Sequence, residues 1–575
     1  AGAAGAARAA EATRWLCLAQ ACGARRHWLG VWRQASGASD RFALLAKLVE
    51  AIQARWTQPM DLAAVRGALA ILGSDGAAGS ATWKSLETPL DPLEAMLPKL
   101  EPTTRVLLLT CGDDGTTLHG AVFGASVEPA AAKGEAPAAT LSSAVSRASL
   151  PAGALHELGA AAEAMRALQS KAALTRAKDA LQRAAPGGGG APPPESTEPG
   201  AEELALHGLV SRIADALRPL LAPLLPLLGP EAPGGANLAV AVVADPQLAC
   251  LPLELLPALR EEHVAVACRD LAVGVMAQRT LREPPPCKKS TWGYAVDPRN
   301  EVELPLDAKQ KGGGKKDAAA ADAEGGAKTA QSLCDAFEAD VLTGGRVAFG
   351  KEWGKAGGGS GLLGASQVPS AVDWQRCMLK NAGFAYLGPG PLLAQLTPAS
   401  LAPLKLHGCA AALMLDKIES DASSRRLAKE DNKKDAARLA LEQSHTTAAL
   451  LSLAGVRSVL INQWASTAAE SRETLDATLE KLGGGGSLGD ALRGSRAGLV
   501  VVDGSRPTST GSKAGSRTST PRGTKTSKPA TPKGGKPAKG KPAKKGGPEP
   551  VAEKPIVWGV LANAVLYGTP SLKLS

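Results

Sequence analysis

The sequence predicts an α/β protein in which helices flank a largely parallel sheet, preceded by an α-helical region. Three observations lead to this fold class. Continuous apolar runs such as 238–243 are typical of buried parallel strands. From residue 237 onward these runs alternate with segments of helical periodicity, as in α/β folds. Before residue 98, apolar residues recur at the i, i+3, i+4, i+7 spacing of amphipathic helices.

The region 1–98 is therefore predicted to be α-helical and repeat-like. One apolar series runs over 15–32 and a second over 42–56. Helix pairs of this size resemble tetratricopeptide-type repeats, although no clean repeat signature is present. A helical cap on the following domain fits the same pattern, and both interpretations remain open.

The region 103–228 is predicted to contain a β-hairpin followed by helices, with a Gly/Pro/Ser-rich linker at 186–202. Asp113 and Asp114 precede Gly115 between the two hairpin strands. We assign the pair to turn chemistry rather than to a metal site, because adjacent Asp residues before Gly are typical of turns.

The sheet core is predicted over 235–502 and 555–575. Further strands are expected at 264–267, 291–296, 346–349, 384–387, 411–415 and 458–461. Helices are expected between them, at 327–340, 370–382, 436–454 and 467–482. Two stretches rich in charge or Gly are expected to form loop inserts, at 307–326 and 421–435.

The net charge of +10 is concentrated in one segment. Residues 504–548 contain twelve Lys and Arg and no Asp or Glu, so the rest of the chain carries about −2. The segment is also rich in Ser, Thr, Pro and Gly, a composition that predicts a disordered basic insert. After it, apolar residues return at 556–568.

The nine cysteines are scattered and form no CxxC pair, which argues against zinc knuckles and a disulfide framework and favours a reducing, cytosolic compartment. Glycines at 357–361 lack a following Lys-Ser/Thr, so we expect no phosphate loop and no cofactor. No apolar run reaches 18 residues, so no membrane span is predicted. The chain opens on Ala1 rather than Met, which is compatible with a piece of a longer protein.

Four motifs in order resemble the CHAT family, caspase-like domains related to separase. The family's LxxLPxELL element is similar to 248–256, and its Ala-Gly-containing helix and strand with a following Trp are similar to 448–464. A short helix at 487–493 and the closing segment at 556–570 are also similar to the family. The resemblance covers about 235–575 and implies a caspase-like sheet.

The chain departs from the CHAT pattern where the chemistry would occur. Pro389 stands where the family has its catalytic His, and Ile418 stands where it has its catalytic Cys. A cysteine peptidase needs an imidazole to activate a thiol, so the resemblance implies a pseudoenzyme. The alternative is an active peptidase with a displaced site at His407 and Cys409.

Ser444 and His445 form another adjacent pair that could carry chemistry. They open a predicted helix, where Ser is commonly an N-cap. We therefore interpret Ser444 as a helix cap.

A degenerate CHAT domain behind helical repeats resembles the large repeat proteins of the motile-cilium central apparatus. That resemblance implies a structural role in the axoneme, within the cytoskeleton, as part of a large hetero-complex. The implied partners are other central-apparatus proteins and tubulin, with no membrane attachment.

The basic insert offers possible contacts for a polyanion through Lys525, Lys528, Lys533, Lys536, Lys539, Lys541, Lys544 and Lys545. It has no aromatic residues, so base stacking is not available and tubulin is favoured over nucleic acid. A nucleic-acid-binding adaptor and a merely solvated insert remain the alternatives.

Overall fold

The computed structural model describes most of the regions for which strands and helices are predicted. The described residues are 2–35, 93, 96–127, 139–184, 200–231, 237–305, 330–343, 361–364, 368–401, 404, 406–496 and 563–574. Some predictions fall outside them: the apolar series at 42–56, the insert at 307–326, the strand at 346–349 and the basic insert at 504–548.

Short strands recur along the described chain. They are β1 Thr104–Cys111, β2 Thr117–Val127, β3 Ala139–Ser149, β4 Leu238–Ala244, β5 Val264–Asp270, β6 Trp292–Val296, β7 Glu303–Pro305, β8 Ala330–Ser332, β9 Gly361–Leu363, β10 Gly383–Leu387, β11 Ala411–Leu415, β12 Ser458–Asn462 and β13 Ala564–Gly568.

Eleven of the described strands form one sheet, in the order β3-β2-β1-β4-β5-β13-β12-β11-β10-β6-β9. Strands β1, β4 and β5 pair in parallel, and so do β12, β11, β10, β6 and β9. Strand β13 lies between these two blocks, parallel to β5 and antiparallel to β12, so the blocks run in opposite directions. The predicted α/β class, with a largely parallel sheet, is confirmed.

Helices connect the strands and cover the sheet. They are α1 Gly2–Ala35, α2 Ala154–Ala184, α3 Ala201–Leu221, α4 Leu225–Leu228, α5 Pro246–Ala249, α6 Val273–Leu281, α7 Leu333–Thr343, α8 Ala371–Leu379, α9 Leu392–Gln395, α10 Pro398–Leu401, α11 Asp421–Asp431, α12 Ala436–Leu441, α13 Ser444–Leu453, α14 Ala468–Gly483 and α15 Leu488–Arg496. Among the described residues, no helix is both long enough and apolar enough to span a bilayer.

Both faces of the sheet are buried, which explains why its strands are continuous apolar runs. On β11, Leu413 and Leu415 belong to the core on one face, while Ala412 and Met414 belong to the core on the other. This alternation follows from the two-residue period of a strand. With helices on both sides, neither set of side chains can be polar.

The predicted hairpin is confirmed, with Val106 of β1 opposite Phe123 of β2. The carboxylate of Asp114 accepts hydrogen bonds from the backbone N–H groups of Thr116 and Thr117 at 2.9 and 2.8 Å. Asp114 therefore holds the turn, as the sequence predicts.

Helix α1 packs on the sheet. Cys17 and Trp28 are buried in two different core clusters, whereas Trp15 is 61% exposed. The side-chain amide of Gln20 donates to the carbonyl of Leu271 at 2.9 Å. The described part of 1–98 thus behaves as a helical cover, and the tetratricopeptide-type pairing stays a prediction because the second apolar series is not described.

The prediction that 421–435 loops out is wrong, because most of the stretch forms helix α11. The hydroxyl of Ser420 caps the helix by accepting from the N–H of Ser423 at 3.1 Å. Arg426 pairs with Glu301 at 2.6 Å. The density of charge that suggested an excluded loop instead anchors the helix through ion pairs.

The helix predicted over 436–454 is interrupted. Helix α12 ends at Leu441 and α13 begins at Ser444, with Gln443 as its N-cap. The interpretation of Ser444 as the cap is therefore wrong by one residue. The Ser444 hydroxyl instead donates a hydrogen bond to the carbonyl of Asn462 at 2.6 Å.

A buried ion pair joins the segment after β4 to strand β5. Arg269 donates through Nε to Glu254 Oε2 at 2.9 Å and through its Nη atoms to the carbonyls of Ala249 and Leu251, both at 2.6 Å. Gln463, directly after β12, donates to the other oxygen of Glu254. The acidic residue of the LxxLPxELL element thus holds three parts of the sheet together.

Replacing Glu254 with Ala would leave the Arg269 guanidinium buried without its counter-ion. We expect Glu254→Ala to lower the free energy of unfolding by about 3–5 kcal/mol, measured by urea denaturation with tryptophan fluorescence. Glu157→Ala is the control, because Glu157 is exposed and 4.0 Å from Arg212. It should cost less than about 1 kcal/mol. Equal losses in the two variants would contradict the role of the buried pair.

Candidate functional site

A cavity of about 410 Å³ opens where β10, β11 and β12 end. Helix α2, the segment after β4 and the start of α13 complete its wall. The polar and charged side chains that line it are those of Glu163, Arg166, Ser170, Arg269, Lys417, Glu419, Glu442, Gln443, Ser444, His445 and Gln463. The carboxyl ends of parallel strands are a common place for ligand sites in α/β folds.

The structure brings Pro389 and Ile418 into adjacent loops beside this cavity. The N–H of Ile418 donates to the carbonyl of Gly388 at 3.2 Å, and the N–H of Lys417 donates to the carbonyl of Gly390 at 3.3 Å. Neither Pro389 nor Ile418 lines the cavity.

The Ile418 side chain is 1% exposed and belongs to the apolar core on the opposite side of the loop. The carbonyl of Pro389 accepts a hydrogen bond from the hydroxyl of Tyr386 at 3.1 Å. Both positions therefore make structural contacts.

Lys417 is the residue that projects into the cavity from the end of β11. Its backbone adopts a φ of 61°, in the left-handed region that non-glycine residues rarely occupy. Its ammonium group donates to the carbonyl of Gln463 at 3.2 Å and contacts the hydroxyl of Ser444. Burial lowers the pKa of Lys417, and the neighbouring Asp416 opposes that effect. Lys417 thus ties the end of β11 to β12 and α13.

Asp416 lies beneath this loop and is fully buried. Burial raises its pKa to about 6, with the Lys417 ammonium acting in the other direction. Burial, followed by the charge of Asp416, raises the pKa of Tyr386 well above its usual range. Both side chains are buried, and burial favours the protonated form of each.

The acidic residues of the cavity wall already have partners. The two oxygens of Glu419 accept from the hydroxyls of Ser170 and Ser424, both at 2.6 Å. Glu442 pairs with Lys434 at 2.7 Å. These contacts leave the wall acids engaged in holding α2, α11 and α12 in place.

Among the described residues, Cys250 and His445 of the cavity wall make no hydrogen bond to each other. Cys250 lines the cavity, but its thiol donates to the carbonyl of Gln247 at 3.5 Å, and burial raises its pKa. Burial lowers the pKa of His445 to about 3, with further lowering by Arg166 and other cations, so its imidazole is neutral.

His407 and Cys409 are not brought to this cavity. Both precede β11 and lie at the other end of that strand. The thiol of Cys409 is buried and contacts the carbonyl of Ala411 at 3.3 Å, and its pKa is raised by burial. Arg282 donates to Nδ1 of His407 at 2.8 Å. The displaced peptidase site thus lacks an exposed thiol.

Among the described residues, no group of three or more His, Cys, Asp or Glu side chains could hold a metal ion. The eight lysines of the basic insert lie outside the described part of the chain.

The apolar pattern of the sequence did not identify Lys417 and Asp416 as site residues. Their signal is present, because two ionisable residues directly follow the apolar run of β11. It also missed Arg269, whose charge follows an apolar run on β5. A charge at the end of a buried strand indicates a buried pair or a site, and only the structure distinguishes these outcomes.

The fold and the site together define an α/β protein with a large mixed sheet and a polar cavity at the carboxyl ends of three strands. No family model matches the chain. The chain is 26% identical over 293 residues to "Cilia- and flagella-associated protein 46" of Chlamydomonas reinhardtii. The match covers 46% of this chain and 10% of that protein, so it corresponds to about a tenth of the relative's length.

Two solved structures show a partial likeness, both crystal structures of the Saccharomyces cerevisiae separase–securin complex. The one at 3.0 Å has a TM-score of 0.44 and 10% identity, over 79% of this chain and 32% of that chain. The one at 2.6 Å has a TM-score of 0.46 and 10% identity, over 92% and 33% respectively.

The raised pKa of Asp416 predicts that this residue destabilises the folded protein to an extent that depends on pH. Because its pKa in the folded protein is about 6, against an ordinary 3.8, the folded state binds more protons between these values. Its contribution to stability therefore falls as the pH rises from about 4 to about 6. We expect Asp416→Asn to gain up to about 3 kcal/mol relative to the original protein across this range, measured by urea denaturation.

Asp215→Asn is the control for this comparison, because Asp215 is 66% exposed on α3. This surface substitution should change the free energy of unfolding by less than about 1 kcal/mol. A flat difference for Asp416→Asn across this pH range would contradict the assignment.

Thiol accessibility provides a second prediction for the site. Cys22 is exposed, whereas Cys409 is buried with a raised pKa. Because the thiolate is the reactive form, iodoacetamide should modify Cys22 in the native chain and Cys409 only after unfolding, as followed by peptide mass spectrometry. Modification of native Cys409 at the rate of Cys22 would support the displaced peptidase site instead.

Proposed function

We propose that this chain is a non-catalytic structural component of a cilium or flagellum, built on a pseudo-peptidase domain of the CHAT type. The observation that carries the proposal is its 26% identity over 293 residues to a cilia- and flagella-associated protein. The four CHAT-like motifs support the domain type, because they occur in order along the chain.

The chemistry of the site supports a non-catalytic role. Ile418 has no nucleophile and is buried in the core, and Pro389 has no group that transfers protons. Two polar residues of the cavity wall, Lys417 and Ser444, are used to join strand ends and a helix start. Losing both members of a nucleophile–base pair removes the main source of rate enhancement in a cysteine peptidase.

We propose further that the chain lies in the central apparatus of a motile axoneme. There the chain would bind neighbouring projection proteins within a large hetero-complex, through the sheet and the helices that cover it. The basic insert at 504–548 would bind the acidic surface of tubulin through its lysines. A nucleic-acid adaptor is the competing role for that insert.

Expression of the tagged 575-residue chain in Chlamydomonas reinhardtii tests the ciliary role. We expect the chain to remain with axonemes after the flagellar membrane is removed with detergent, measured by immunoblotting. The tag alone is the control and should be lost. Complete release of the tagged chain, or its absence from flagella, would contradict the proposal.

The role of the basic insert is tested in the same design by deleting 504–548. Co-sedimentation with microtubules should decrease on deletion and should weaken with salt, because the attraction is between exposed charges. A parallel pull-down with nucleic acid separates the two polyanions. If deletion changes neither, both roles of the insert are wrong while the ciliary role of the core is still judged by axoneme retention.

A further inference from the structure

Three arginines converge at the amino-terminal ends of β11 and β12, at the opposite end of these strands from the cavity described above. Arg279 and Arg282 lie at the end of α6, and Arg457 directly precedes β12. We call these residues the arginine cluster. They surround a small cavity of about 40 Å³, which His407 and Ser452 also line. Its lining contains no acidic residue.

Hydrogen bonds to backbone carbonyls and to the His407 ring hold the arginine cluster together. Arg457 donates through Nη1 to the carbonyl of Arg282 at 2.7 Å. Arg282 donates to Nδ1 of His407 at 2.8 Å and also contacts the carbonyl of that residue. The like charges are therefore kept close by hydrogen bonds to neutral acceptors.

The charges of the cluster are only partly balanced. Arg279 pairs with Asp270 at 2.6 Å, and both side chains are buried. Within the described part of the chain, Arg282 and Arg457 pair with no carboxylate. Burial and the like charges of Arg279 and Arg282 lower the pKa of Arg457. The site thus has an excess of positive charge in a partly dehydrated place.

The cluster also has donors without acceptors. Nε and Nη2 of Arg279 and Nε of Arg457 are buried and make no hydrogen bond. The Arg279 residue is 7% exposed. Buried N–H groups nearly always find an acceptor, because an unpaired donor has lost its hydrogen bond to water and gained none in return. An anion in the small cavity would supply acceptors and negative charge together.

We propose that the arginine cluster binds a phosphate group, either free or carried as a phosphomonoester. Guanidinium groups donate paired N–H bonds to oxyanions. The three arginines come from two separate parts of the chain, the end of α6 and the residue before β12, and all of them line the cavity. A tetrahedral oxyanion presents acceptors outside a single plane, whereas a carboxylate presents two coplanar oxygens. The cavity has room for a few waters or one small anion.

Titration of the 575-residue chain with inorganic phosphate tests the proposal. Binding is followed by calorimetry and by the shift of the unfolding temperature, at constant ionic strength maintained with chloride. We expect phosphate to bind and to raise the unfolding temperature, and acetate to do so at least tenfold more weakly. An effect of phosphate no larger than that of chloride, or equal binding of acetate, would overturn the proposal.

Variants locate the site. Arg457→Gln and Arg282→Gln should each weaken phosphate binding by about tenfold, because each removes a charge-assisted donor. Arg282 is exposed, so its variant should fold even if Arg457→Gln does not. Arg425→Gln is the matched control, since Arg425 is 79% exposed on α11 and pairs with Asp421. Equal weakening in all three variants would show non-specific attraction and overturn the site.

A competition experiment with phosphoserine distinguishes the two possible sources of the phosphate group, a free anion and a phosphorylated side chain. Competition between phosphoserine and inorganic phosphate would assign the site to a phosphorylated side chain. Phosphate binding without such competition would assign it to the free anion. Both results retain the site, and they differ only in what delivers the phosphate group.

Discussion

The buried pair of Arg269 and Glu254 is the interaction on which the centre of the sheet depends. Arg269 lies on β5, Glu254 lies in the segment after β4, and Gln463 joins them from the end of β12. The aromatic ring of Tyr567 on β13 lies 5.9 Å from the guanidinium carbon. Four elements that are distant in sequence therefore meet at one charge. Because two desolvated ions are costly, this arrangement holds only while every hydrogen bond is made.

The same pair forms part of the cavity wall, which links the stability of the sheet to the shape of the site. Arg269 and Gln463 line the cavity together with Lys417 and Glu419. Each of these residues is engaged with protein atoms. Because these four side chains already bond to protein atoms, this part of the wall keeps its form without a ligand.

The sequence predicts much of the fold, because burial on both faces leaves a simple signal. The apolar runs at β4, β10, β11 and β12 each appear as strands within about one residue of the expected positions. Helix α11 could not be predicted in the same way, because its stability comes from a cap and from ion pairs rather than from an apolar face. The break before Ser444 has a similar origin. It depends on a contact with Asn462, which no local pattern shows.

The candidate site was predictable only in part. Pro389 and Ile418 do lie in adjacent loops, as expected for residues that follow neighbouring parallel strands. That Ile418 turns into the core while Lys417 turns into the cavity depends on the left-handed backbone at Lys417. Composition and periodicity cannot show which of two adjacent residues points into the cavity and which points into the core.

The position of β13 has a consequence for how the protein is made. Strand β13 lies between the two blocks of the sheet, yet it follows the basic insert at 504–548 in the chain. Until Ala564–Gly568 leaves the ribosome, β5 and β12 each present an unpaired edge at what will become the middle of the sheet. Exposed edges of apolar strands pair readily with other chains. The two half-sheets of the nascent protein must therefore avoid aggregation while the long basic segment is synthesised. Strand β13 then joins them in a late step.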